Sequence, residues 1–71
     1  MRLKELREDS DLRQNDIALY LHIRQNTYSQ YENGLRQIPV EMLISLASFY
    51  NTSVDYILGI TNEKKPYPKN K

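Results

Sequence analysis

The sequence predicts an all-α domain of five short helices. Two observations carry this. Apolar residues recur at helical spacing in five separate short stretches, and no alternating strand pattern appears anywhere. Between the stretches stand helix stops and starts: Ser10-Asp11, Asn33-Gly34, Asn51-Thr52 and Gly59.

Leu3 and Leu6 sit three apart in a charged setting, which predicts a short first helix. Ile17, Ala18 and Leu21 predict a second from about Gln14, followed by a break at His22-Ile23-Arg24. Tyr28 and Tyr31 mark the inner face of a third helix, closed by Asn33-Gly34, since a left-handed residue ends a helix most cheaply when it is glycine. Leu35 to Ile38 reads as a loop. Pro39 suits a first turn, where its missing N–H costs nothing. Leu43, Leu46, Ala47 and Tyr50 repeat at i, i+3, i+4, i+7 and carry a fourth helix to about Tyr50. Ser53 is a good N-cap for a fifth, with Asp55 in its first turn and Val54, Ile57 and Leu58 turned inward. From Thr61 the chain is polar, with Pro66 and Pro68. It divides into a helical domain over 1–60 and a flexible basic tail over 61–71.

At 71 residues this is one domain. A chain of that size buries only about 60% of its unfolded surface, so its core is thin. The absence of cysteine excludes disulfides and thiolate metal sites and fits a reducing compartment. No apolar run approaches a membrane span, and residues 1–10 alternate charges with leucines where a signal peptide needs an apolar core. The expectation is a cytoplasmic protein with no membrane partner and no cofactor. The net charge of +1 is a weak argument for nucleic acid. The charge runs −1 over residues 1–12, +1 over 13–38, −2 over 39–62 and +3 over 63–71. Enzymatic chemistry finds no support, because there is no nucleophile–base pair and no phosphate-cradling glycine loop among two glycines. His22 has no cysteines or clustered carboxylates to make a metal site with it.

The informative stretch is Gln14 to Gly34. Two short helices joined by a three-residue break make a tight corner. Ala18 must be small because the next helix crosses close to it. Ile17, Leu21, Ile23, Tyr28 and Tyr31 must be apolar to fill the angle. All six positions comply, as in the DNA-binding helix-turn-helix, whose second helix enters the major groove.

The run LRQNDIALYLHIRQNTYSQYENG (12–34) resembles the phage repressor and Cro family of helix-turn-helix proteins, often called the XRE family. So do RLKELRED (2–9), PVEMLISLASFYN (39–51) and SVDYILG (53–59), and together they cover residues 2–60 in order. The resemblance implies a lambda-repressor-like five-helix domain, operator binding, and a two-fold homodimer with its contact near Asn51 to Tyr56. It also implies an ion pair between Arg7 and Glu32, tying helix 1 to helix 3; the alternative is two solvated charges. Three positions depart from the family pattern: Arg13 and Arg24 stand where Ser or Thr is usual, and His22 where Gly is usual.

Gln25, Asn26, Ser29, Gln30 and Asn33 share one uncharged face of helix 3. Asn and Gln bond bidentately to adenine, so Gln25, Asn26 and Gln30 are expected to reach base edges. A plain polar surface is the alternative. Arg13 and Arg24 stand at the N-termini of helices 2 and 3, where a cation is unfavourable and a hydroxyl cap is missing. A DNA phosphate would compensate, since helix N-termini bind anions and arginine adds a charged fork. The expected phosphate contacts are Arg13, Gln14, Arg24, Thr27, Asn33 and Arg36. Tyr28, Tyr31 and Tyr50 are expected in the core, with Tyr20 and Tyr56 partly exposed. The expected function is a sequence-specific transcriptional regulator acting as a repressor on double-stranded operator DNA. The alternative is an antitoxin-type module that holds a protein partner through the Tyr56 and Ile60 region.

Overall fold

A computed structural model describes residues 1–68. Five helices follow in order: α1 (Leu3–Asp9), α2 (Gln14–Leu21), α3 (Gln25–Glu32), α4 (Val40–Phe49) and α5 (Val54–Leu58). No strand occurs among the described residues. α2 packs on α3, and α4 on α5. Leu3 and Leu6, Ile17 and Ala18, Tyr28 and Tyr31, Leu43, Leu46 and Ala47, and Ile57 bring every helix into one core, to which the loop residue Ile38 adds. A buried aliphatic side chain of this kind contributes about 1.5–3 kcal/mol relative to exposure, so the core is small but shared by all five elements.

All five helices close in one way. The residue after the helix, or the one beyond it, is left-handed: Asp11 (φ 56°), His22 (φ 58°), Gly34 (φ 74°), Asn51 (φ 54°) and Gly59 (φ 84°). The next N–H then reaches back five residues, Leu12 to Arg7, Ile23 to Ala18, Leu35 to Gln30, Thr52 to Ala47 and Ile60 to Asp55, at 2.8–3.1 Å. This closure satisfies carbonyls that the helix leaves orphaned and turns the chain sharply. Short helices with such stops fold into a ball. Asp and Asn tolerate the conformation, whereas His22 carries more of its cost.

Leu58 departs from expectation: it is 39% exposed, while Ile57 alone of the α5 apolar residues is fully enclosed. A helix of five residues has barely more than one turn, so it can aim only one side chain squarely at the core. Tyr50 is half-buried rather than enclosed, with Phe49 packed edge-on against it.

The segment from Thr61 runs back over the domain. Arg2 donates to the carbonyls of Tyr56 (2.6 Å) and Thr61 (2.8 Å) and to Asn62 Oδ1 (2.8 Å). The buried Thr52 donates to the Lys64 carbonyl at 2.6 Å, and Tyr67 donates to Asp55 Oδ2 at 2.6 Å. The tail expected to be flexible thus makes defined contacts as far as Tyr67; Lys69, Asn70 and Lys71 lie outside the described residues.

Candidate nucleic-acid interface

The α2–α3 corner is built by four enclosed residues, Ile17, Ala18, Tyr28 and Tyr31, with Leu21 and Ile23 packed against them. The left-handed His22 makes the turn, and Ile23 N–H closes on the Ala18 carbonyl at 3.0 Å. With the inner side of α3 committed to the tyrosines, its outer side has to face solvent. Gln25, Asn26 and Gln30 are exposed there. None of the three side chains makes a hydrogen bond to another among the described residues, so each amide keeps its donors and acceptor. Thr27 and Ser29 are half-buried beside them, and Asn33 is exposed, its amide donating to Ser29 Oγ at 3.4 Å.

Arg7 and Glu32 meet beneath this corner. Arg7 Nε donates to Glu32 Oε2 at 2.7 Å and Nη2 to Oε1 at 3.2 Å, a two-point fork. Arg7 Nη1 also donates to the Leu12 carbonyl at 2.9 Å. The side chains are 12% and 2% exposed. Burial works to raise the Glu32 carboxyl, but the fork from Arg7, then the polar Tyr28 hydroxyl nearby and the hydrogen bond from Gln14, outweigh it and hold the group below its usual range. The same fork, opposed by burial, raises Arg7. The pair locks the end of α3 to α1, which fixes the angle at which the outer face of α3 is presented. Burial pushes the Tyr28 hydroxyl up, and the Tyr50 hydroxyl to about 12. Neither completes a hydrogen bond among the described residues.

Gln14 belongs to this network: its Nε2 donates to Glu32 Oε1 at 3.2 Å. One N–H of an amide therefore serves the interior, and the other remains for an outside acceptor. Arg13 is 89% exposed, with Nε 3.8 Å from Asp16 Oδ2. That carboxylate also accepts the Arg13 backbone N–H at 2.8 Å. Asp16 thus supplies half of a capping box and a negative charge in the first turn of α2, easing the cost set by the missing hydroxyl cap. Arg24, at the N-terminus of α3, and Arg36 are exposed, with no ion pair among the described residues.

Sequence reasoning missed Arg2. Its guanidinium lies 4.2 Å from the centre of the Tyr56 ring as well as binding two carbonyls, and it covers the ring expected to be open to a partner. Nothing local distinguishes Arg2 from Lys4. Only the return of the chain from α5 brings its partners, 54 to 60 residues away, within reach. Ile60 is exposed. No group of three acidic or histidine side chains that could hold a metal occurs among the described residues, and no helix there is long and apolar enough to cross a membrane.

The chain belongs to the helix-turn-helix family, which matches it over residues 3–57 and includes phage repressors of the XRE type. The family is one of DNA-binding regulators. Among similar proteins is the uncharacterized HTH-type transcriptional regulator YobD of Bacillus subtilis, 37% identical over 65 residues, covering 92% of this chain and 58% of that protein. The HTH-type transcriptional regulator ImmR of the same organism is 40% identical over 58 residues, covering 82% of this chain and 46% of ImmR. The cryptic phage CTXphi transcriptional repressor RstR of Vibrio cholerae is 32% identical over 53 residues, covering 75% of this chain and 48% of RstR. The chain spans about half the length of these relatives. No solved structure matches it significantly.

Proposed function

We propose that this chain is a sequence-specific transcriptional repressor that reads operator DNA in the major groove with α3. The observation that carries the reading is the outer face of α3, where Gln25, Asn26 and Gln30 keep their hydrogen-bonding groups uncommitted on a rigid, core-anchored helix. An eight-residue helix is about 12 Å long, comparable with the width of the major groove. Gln25, Asn26 and Gln30 read base edges. Arg24 and Arg36, with Thr27 and Asn33, hold phosphates on one side, and Arg13 with the remaining N–H of Gln14 on the other. Arg24 is the stronger clamp, because Arg13 shares its charge with Asp16.

A domain with one reading helix doubles its site by pairing about a two-fold axis, with half-sites about 34 Å apart. The domain measures 34 × 24 × 24 Å, so two copies fit side by side on that spacing. We place the homodimer contact at Asn51 to Tyr56. The names of ImmR, YobD and RstR as transcriptional regulators or repressors support the reading, and action on DNA implies a cytoplasmic location.

Selection of bound sites from a random DNA pool tests it. The native chain should enrich a two-fold consensus. Gln30→Ala should lose stringency at about one base pair per half-site, a discrimination of roughly 1–3 kcal/mol. An unchanged consensus and stringency for Gln30→Ala would remove Gln30 from the reading set. Failure to enrich any sequence would remove the function.

A further inference from the structure

The outer face of α3 offers one kind of chemistry. The helix QNTYSQYE has no cation and a single carboxylate, Glu32, which is taken up inside by Arg7 and Gln14. What remains outside is three exposed primary amides with no internal partner, Gln25, Asn26 and Gln30. Arginine stands only off this face, at the N-termini of α2 and α3 and in the loop after α3. A primary amide holds a donor and an acceptor side by side in one plane. Adenine alone among the bases shows the major groove the complement, an N7 acceptor beside an N6–H donor. Guanine shows two acceptors, N7 and O6, which suit an arginine fork or a lysine; an amide bonded there turns its own carbonyl on an acceptor with no proton between them. Cytosine shows an N4–H donor, best met by a carboxylate, and this face has none. From Gln25 to Gln30 the helix rises about 7.5 Å, roughly two base-pair steps of about 3.4 Å, so the three amides cover about three successive pairs.

We infer that the DNA this chain selects carries a core of A·T pairs, read at their adenines by Gln25, Asn26 and Gln30, and that G·C pairs are rejected there. The inference rests on the operator-reading role given above and adds to it the class of base. Rejection is built in on both sides of the contact. A guanine leaves each amide carbonyl unmatched, and the face holds no charged group that could swing in to replace the lost bond. The arginines act outside the core, on phosphates, where base identity does not enter.

Base analogues placed in the selected duplex test it, with binding of the full chain followed by fluorescence anisotropy at fixed salt. Hypoxanthine·C shows the major groove the pattern of G·C and the minor groove that of A·T; diaminopurine·T does the reverse. Put in turn at each core pair of one half-site, hypoxanthine·C should weaken binding by about five- to 150-fold, and diaminopurine·T by less than about threefold. In Gln30→Ala the hypoxanthine·C penalty should disappear at one pair and persist at the others. A core selected as G·C would overturn the inference. So would a loss on diaminopurine·T with none on hypoxanthine·C, which places the readout in the minor groove, or penalties that all persist in Gln30→Ala. Enrichment of no sequence at all is a different result: it removes the operator-reading role, and the inference with it.

Discussion

Replacing Glu32 by Ala should be the most damaging single change at the interface, although Glu32 touches no DNA in the proposed complex. Its side chain is 2% exposed and accepts two hydrogen bonds from Arg7 and one from Gln14. Removing one partner of a buried pair costs about 3–5 kcal/mol, mostly because the other charge is left behind. Arg7 keeps its bond to the Leu12 carbonyl and is 12% exposed, so water relieves part of that cost. The lower end, about 3 kcal/mol, is the better expectation. In a domain of this size 1 kcal/mol moves the melting temperature by about 4–8 °C, which predicts a fall of roughly 12–24 °C. Circular dichroism at 222 nm during heating measures it. A fall of under about 5 °C would refute the argument that the pair is effectively desolvated. The pH dependence follows from the depressed Glu32 carboxyl. Its contribution is fully present above the ordinary carboxyl value of about 4.5 and is lost as pH falls through the lower folded value. The native protein should therefore lose stability more steeply below about pH 4.5 than Glu32→Gln, which cannot titrate. Parallel acid limbs would contradict the shift.

Two further outcomes follow from the backbone and the helix ends. His22→Gly should stabilise the free protein by about 1 kcal/mol, because His22 holds φ at 58°, and denaturant titration should show the midpoint rising with an unchanged slope. Arg24→Ser and Arg13→Ser should both raise the melting temperature of the free protein by restoring a hydroxyl cap. On DNA, Arg24→Ser should weaken binding to all sequences about equally and lower the salt slope by about one unit. Arg13→Ser should do less, since Asp16 already holds part of that charge. Equal effects, or none, measured by fluorescence anisotropy across a salt series would reject the ranking.

The helices and the corner between α2 and α3 were legible in the sequence because they rest on local rules. Apolar spacing identifies the inner face of each helix, and Gly34 and Gly59 stand where a left-handed stop is needed. The uncharged face of α3 was legible for the same reason: once Tyr28 and Tyr31 point inward, helical geometry sends Gln25, Asn26 and Gln30 outward. What only the tertiary structure decided were contacts between residues far apart in the chain. The Arg7–Glu32 pair was implied by the family resemblance, but the addition of Gln14 to it required α1, α2 and α3 to converge on one point. Leu58 lost its expected place because a single turn has one core-facing position, and Ile57 holds it. Arg2 and the run from Thr61 to Tyr67 carry no local pattern at all. Their order comes from the path by which the chain returns across α4 and α5, where partners 12 to 60 residues away in sequence supply the hydrogen bonds. Local propensity cannot encode such bonds, because each depends on where two already folded pieces happen to meet.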